Sequence, residues 1–295
     1  MPQYALHDLV STTGDLAALP QTVVRLLDLL KDQTCAADKV VQVLDHDGAM
    51  TANVLKLANS AFYGVRGTVG STRQALVLLG NRAVLTLAFA TGMVPVMRRN
   101  LTGYGIDRDR YWEHSLHSAM AAGVAMDRLG DPERACEAFT AGLVHDIGML
   151  ALDAHLATNR MKLVPAFPLF NVSDRERDTL GFDHCDAGSL LAANWGFPAA
   201  LAMAIEFHHR PWDAPGDAAL ASAVLAGDMV AQMASDRLEP DAWPEALDYL
   251  APRGLDADHL RELALSVTLA PEETLARATR APGTPCPPSI PAPVS

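Results

Sequence analysis

Residues 136–150 read CEAFTAGLVHDIGML, an apolar helical stretch with an ionisable pair set into it. Phe139, Leu143, Ile147 and Leu150 recur at helical spacing and draw one apolar face. His145 and Asp146 fall on the adjacent strip, between Gly142 and Gly148, whose lack of a side chain lets a neighbouring helix come close. A carboxylate in such surroundings is costly unless something compensates it. A cation would do so, and so would hydrogen bonds from His145 or another histidine with no metal at all.

Other ionisable residues stand in comparable settings on both sides. His114 lies in YWEHSLHSAMAAGVAM, where His117, Ser118, Ala121 and Ala125 continue its side of the helix as a largely small-residue ridge suited to close helix packing. That setting turns the imidazole toward an inter-helix site; a buried histidine bonded to a carbonyl is the plainer alternative. His208 and His209 close a segment that opens at Pro198, with Pro211 just beyond, and imidazoles suit that end of a helix dipole for its own sake. Asp228, in ASAVLAGDMVAQMAS, is flanked for several positions by apolar or small residues, so its carboxylate asks for a partner. With His184 these residues recur within little more than a hundred positions, and imidazole and carboxylate are the donors of Zn, Mn, Fe and Ni sites.

Composition bounds the rest. The 295 residues are 49% hydrophobic with a mean hydropathy of +0.10, enough for one large core or two modest ones. Aromatics are only 6%, so the apolar surface comes mainly from Ala, Leu, Val and Met, and an all-α fold is expected. Lys and Arg number 23 against 35 Asp and Glu, a formal net charge of −12, which opposes nucleic acid or an anionic membrane as a partner. Cys35, Cys136, Cys185 and Cys286 are isolated from one another, without the spacing of a disulfide framework or zinc ribbon, and fit a reducing cytoplasm. The opening MPQYALHDLV does not read as a secretory signal, and the longest apolar run, taken as residues 83–97, is too short for a bilayer.

The chain divides by punctuation. Residues 1–14 read as an N-terminal extension, and Pro20 opens the helix QTVVRLLDLLKD with Val23, Leu26, Leu27 and Leu30 on one face. Helices are expected at 37–44, at 51–62, at 71–80 with Ser71 as cap and Gly80 as stop, and at 81–97. The polar, Gly-bearing run 98–105 places a boundary near residue 100, separating a first helical half, 15–100, from a second, 101–235. The second half is expected to hold helices at 107–129, 133–155, 174–194, 198–208 and 218–235, with an irregular connection at 159–174. Weaker helices at 243–249 and 257–275 fall within a 236–280 segment, and the Pro-rich tail 281–295 is expected to be disordered.

The second half resembles the HD superfamily, whose H…HD…D pattern is matched by His114, His145, Asp146 and Asp228. More narrowly, the chain resembles the HDOD family of bacterial signalling proteins over about residues 15–235. LPQTVVRLL, VVQVLDHDGAMTANVLKLANSAFYG and STRQALVLLG carry that likeness in the first half, and HDIG, NWGFP and EFHHRP in the second. The resemblance implies an all-α, multi-helix architecture in which an N-terminal helical subdomain packs on a C-terminal HD-type subdomain. It also implies a regulatory protein, generally without an established catalytic activity, whose partners are other signalling proteins. No receiver or enzymatic module is appended, so a stand-alone version is expected.

The related HD-GYP phosphodiesterases cleave cyclic di-GMP on a site of two or three metals. Carried over by that likeness, His114, His145, Asp146 and Asp228 would hold one ion, and Asp146 would bridge to a second held by His184, His208 and His209. One or two ions of Fe, Mn, Zn or Ni are then expected, with a metal-free hydrogen-bonded cluster as the alternative. This chain departs from the catalytic pattern at Met149, where a lysine is usual, at RPWDAPGD, which replaces the GYP signature, and at Arg110, where a glutamate would bind a third ion. Two functions follow: a regulatory module acting through protein contacts, or a metal-dependent phosphohydrolase acting on a nucleotide or cyclic dinucleotide.

Overall fold

Helix-forming residues between glycine, proline and capping punctuation produce helices throughout the computed structural model, which describes residues 6–7, 19–31, 36–59, 68–163 and 172–269. Among the described residues there is no strand; Leu101 and Ile106 merely exchange two backbone hydrogen bonds of 2.8 and 3.0 Å. The first half comprises α1 (Gln21–Lys31), α2 (Ala37–Asp45), α3 (Gly48–Ala58), α4 (Thr72–Leu79) and α5 (Asn81–Met97). Ser71 caps α4 by accepting the Gln74 amide, and Gly80, at φ +85°, makes the turn into α5 that an L side chain resists. The helix expected at 51–62 starts earlier, because the Asp47 carboxylate accepts the Met50 amide at 3.0 Å and supplies a cap. Residues 60–62 of that expectation lie outside the described residues.

Two apolar cores share these helices. Leu26 of α1 and Val84 of α5 join Val40, Leu44, Val54 and Leu76 in one, whereas Val23, Leu27, Phe89 and Met93 of the same two helices enter the larger core of the second half. Both α1 and α5 are therefore apolar on more than one side.

The second half comprises α6 (Arg108–Arg128), α7 (Ala135–Val144), α8 (Ile147–Thr158), α9 (Val172–Leu180), α10 (His184–Asn194), α11 (Ala199–Phe207), α12 (Ala219–Asp236), α13 (Pro244–Leu250) and α14 (Ala257–Leu269). Two helices expected to be continuous are broken. The 133–155 segment divides into α7 and α8 at His145 and Asp146, where Asp146 leaves helical geometry at φ −94°, ψ 14°. The 174–194 segment divides into α9 and α10: Gly181 takes φ +91°, and Asp183 restarts the helix through a reciprocal capping box with Asp186. At the first, apolar spacing runs on through the break from Phe139 to Leu150, so periodicity alone misses it.

Glycines set how closely these helices approach. A Cβ on Gly142 would lie 2.9 Å from the Ser118 carbonyl, and one on Gly227 2.4 Å from the same oxygen, so α7 and α12 both press on the small-residue ridge of α6. Gly148 brings α8 so near α10 that a Cβ would fall 1.9 Å from the His184 carbonyl. By length and composition the most bilayer-like segment is Pro132–Thr158 rather than residues 83–97, but 94% of its most apolar window is buried inside the protein. It contains the α7–α8 pair and hence the break at His145 and Asp146. Cys136 and Cys185 are buried thiols outside any disulfide, whereas Cys35, Cys286, residues 270–275 and the tail 281–295 lie outside the described residues.

Candidate metal centre

Five places in the fold aim ionisable side chains at one point. The first half of α6 supplies His114, the α7–α8 break supplies His145 and Asp146, and the first residue of α10 is His184. The end of α11 supplies His208 and His209, and the middle of α12 supplies Asp228. The breaks serve this convergence, because each ends a helix where its ionisable residue must turn inward. All seven sequence candidates come together, and all are buried except His209, whose side chain keeps 29% of its exposure.

Asp146 stands at the centre. Its Oδ2 lies 3.4 Å from His114 Nε2 and 3.2 Å from His145 Nε2; its Oδ1 lies 3.3 Å from His184 Nε2 and 3.7 Å from His208 Nε2. Asp228 closes the first group, with Oδ1 3.3 Å from His114 Nε2 and 3.8 Å from His145 Nε2. His209 closes the second, its Nε2 3.2 Å from His184 Nε2, while its Nδ1 is 3.6 Å from Asp228 Oδ2. One carboxylate thus divides the cluster into two donor sets, one on each of its oxygens.

The outward ring nitrogens fix the orientation. His145 Nδ1 donates to the Gly142 carbonyl at 2.8 Å, His208 Nδ1 to the Ile205 carbonyl at 2.7 Å, and His184 Nδ1 to the Glu176 carboxylate at 2.7 Å. Each bond assigns an N–H to Nδ1 and turns Nε2 into the cluster. Carboxylate and carbonyl partners of this kind hold metal-binding histidines in their working tautomer. Donors about 2.0–2.1 Å from a tetrahedral ion stand about 3.3 Å apart, and the closest inward contacts, 3.2–3.4 Å, fit that spacing. The residues therefore fit divalent ions on both sides of Asp146.

Electrostatics point the same way. Burial alone would push the Asp146 carboxyl up, but the positive field of His145 and hydrogen bonds from His114 and His145 hold it well below the usual range. Asp228 is likewise lowered against its burial, chiefly by His114. Burial would depress His114, yet hydrogen bonds to Asp146 and Asp228 outweigh it and raise the imidazole to about 10. His184 is raised well above its ordinary value against its burial, Glu176 being the foremost cause. His208 and His209 are lowered by burial, with neighbouring imidazoles adding to the effect. Two ionised carboxylates thus sit in a buried cluster that favours positive charge.

Several supporting residues escape sequence reasoning. Glu176 is fully buried and accepts the His184 backbone amide at 2.8 Å as well as its ring, while the Tyr104 hydroxyl donates to its other oxygen. Gln232 donates to Asp228 Oδ1 at 2.9 Å, and the Tyr111 hydroxyl to the Asp146 carbonyl at 2.9 Å. Gln232 could have been found, four residues after Asp228 on one helix, whereas nothing in the polar VSDRERDTL singles out Glu176. Cys185, set aside in the sequence as an isolated thiol, has its Sγ 3.7 Å from His184 Nε2. Met149 is fully buried, and Arg110 pairs with Asp236.

His209 and Asp228 of the cluster reach the wall of a cavity of about 660 Å³, which Arg177, Arg210, Trp212 and Trp243 also line.

The HDOD domain family model matches residues 16–211. A candidate phosphohydrolase from Shewanella amazonensis SB2B is 26% identical and superposes with a TM-score of 0.65 over 93% of this chain and 98% of that one. An HDOD domain protein of unknown function from Geobacter sulfurreducens, 22% identical, superposes with a TM-score of 0.66 over 93% and 96% and shares the fold. An uncharacterized protein of Treponema pallidum (strain Nichols) is 23% identical over 203 residues, 68% of this chain and 39% of the relative. The chain thus spans about two fifths of that curated relative's length.

Proposed function

We propose, from the premise that this chain belongs to the HDOD domain family, that it is a cytoplasmic regulatory module built around a two-ion metal centre and acting through contacts with other signalling proteins. The observation that carries the reading is the arrangement of ring nitrogens around Asp146. With Nδ1 of His145, His184 and His208 already donated outward, their inward Nε2 atoms face carboxylate oxygens 3.2–3.7 Å away. Ring nitrogens and carboxylate oxygens this close in a buried pocket need protons or cations between them. Cations of the Fe, Mn, Zn or Ni class match this donor set. His114, His145, Asp146 and Asp228 would hold one ion, and His184, His208, His209 and the other oxygen of Asp146 the second.

A regulatory role rather than turnover is favoured by what surrounds the centre. Met149 occupies, fully buried, the position where the related phosphodiesterases carry a lysine suited to substrate phosphate. The side chain of Arg110, in place of a third-ion glutamate, is directed to Asp236. The buried thiols Cys136 and Cys185 suit a reducing location. Under this reading Asp146→Ala empties the centre, yet a partner protein still binds provided the fold survives. A partner interaction that strictly required both metal and a nucleotide substrate would contradict it.

One observation favours a second reading, a metal-dependent phosphohydrolase. The cavity over His209 and Asp228 brings two arginines, suited to phosphate, and two tryptophans, suited to a flat base, to the accessible edge of the cluster. Bound divalent ions would supply Lewis acidity toward a phosphate there. His209 and Asp228 present the reacting edge, and Arg177 and Arg210 position the anion. Turnover of phosphodiester substrates by the metal-loaded chain, abolished by His145→Ala, would establish this reading; absence of turnover across a nucleotide panel with metal bound would remove it.

A further inference from the structure

Cys185 is the second residue of α10, directly after His184. Neighbouring residues on a helix diverge by roughly 100°, so a shared target for the two side chains is not what helical geometry gives by default. Here the side chains converge. Cys185 is 2% exposed; its Sγ lies 3.7 Å from His184 Nε2 and 3.8 and 4.0 Å from His208 Nδ1 and Nε2. Donor atoms of His184, Cys185, His208 and His209 all fall within 4.8 Å of one another. Zinc–nitrogen bonds of about 2.05 Å and zinc–sulfur bonds of about 2.3 Å imply tetrahedral edges of roughly 3.3 Å between nitrogens and roughly 3.6 Å between nitrogen and sulfur. The observed edges are 3.2 Å from His184 to His209, 3.7 Å from His184 to Cys185 and 4.0 Å from His208 Nε2 to Cys185, so His208 stands a few tenths of an ångström wide of the ideal.

We infer that Cys185 is a thiolate ligand of the second ion position, added to His184, His208, His209 and the Asp146 oxygen. The inference rests on the metal-centre reading above and deepens it. On binding, the S–H bond breaks, its proton leaves to solvent, and the sulfur electron pair forms the bond to the ion, with no change of oxidation state. The two positions then differ in kind. The first offers two imidazoles and two carboxylates; the second adds a soft sulfur and prefers Zn, Co or Fe(II) over Mn or Mg.

Cobalt(II) titrated into the full-length, chelator-treated chain under anaerobic conditions tests this. The wild type is expected to show visible ligand-field absorption together with an intense near-ultraviolet sulfur-to-cobalt charge-transfer band. Cys185→Ser is expected to keep the ligand-field absorption of the first position and lose the charge-transfer band. A band that survives in Cys185→Ser would come from another cysteine and would overturn the assignment. X-ray absorption on the zinc-loaded wild type needs no variant: a sulfur shell at about 2.3 Å supports the proposal, and a shell of nitrogen and oxygen alone contradicts it. Cobalt uptake without either sulfur signature removes Cys185 while leaving the metal centre in place. No cobalt uptake at all removes both.

Discussion

Glu176 shows how one residue outside the cluster governs it. Its carboxylate takes both the backbone amide and the ring N–H of His184, which fixes the imidazole with Nε2 toward Asp146. Glu176→Gln keeps the shape and removes the charge, and losses in supporting shells of this kind weaken metal affinity by about 10–100-fold. Competition against a chelator should show that weakening for one ion and not for the other; an unchanged affinity for both would separate Glu176 from the centre.

Protons also compete for the site. In the metal-free protein Asp146 and Asp228 raise His114 to about 10, above the unfolded value of 6.5. The sign follows from linkage: this group favours the fold fully below about pH 6.5, and the contribution is lost as pH rises through about 10. His184, also raised, has the same sign. An incoming ion must displace these protons, so binding should release protons and tighten as pH rises between about 6 and 8. Proton uptake by the protein from a weakly buffered indicator solution on metal addition, or affinity independent of pH, would contradict this. At this scale Asp146 and Asp228 were legible because charge inside apolar helices is costly, whereas the grouping of His184, His208 and His209 came from the family likeness. Glu176 and Cys185 were legible in neither way, because their partners are set by how α9, α10 and α11 approach in space.

At the level of elements, the centre depends on two helix breaks and on glycine contacts that hold the broken pieces together. Gly148→Ala would drive a methyl group into the His184 carbonyl, 1.9 Å from the ideal Cβ position, and into the Gly188 amide at 2.6 Å. These are backbone atoms and cannot swing aside. The expected cost is at least the roughly 1–3 kcal/mol typical of overpacking, together with a loss of metal content as α10 moves off. Gly48→Ala, with nothing within 4 Å of the added atom, is the control and should change stability by less than about 1 kcal/mol. Thermal unfolding of the two variants compares them, and equal melting temperatures would mean that α8 and α10 are not held at this contact. The helices themselves were largely legible, Ser71 and Gly80 marking their boundary as capping chemistry requires. The breaks at Asp146 and Asp183 were not, since Phe139, Leu143, Ile147 and Leu150 keep helical spacing across the first and all four are buried. Gly181 and the Asp183 to Asp186 spacing were the available signs of the second.

The whole molecule is an all-helical fold in which α1 and α5 contribute to two cores while the cluster lies entirely in the second half. Fold class was legible from composition, and the family from motifs spread over both halves, because each motif combines a helix with its punctuation. What the sequence could not supply was the division of labour at Asp146, one oxygen to each donor set, which exists only once five separate elements have met. The most direct test is elemental analysis of the full-length chain purified without chelator or affinity nickel. About two ions per chain, drawn from Fe, Mn, Zn and Ni, are expected, falling to none in Asp146→Ala. A folded wild-type protein carrying far less than one ion per chain, and taking up none when they are supplied, would contradict the account and leave a cluster held by protons alone.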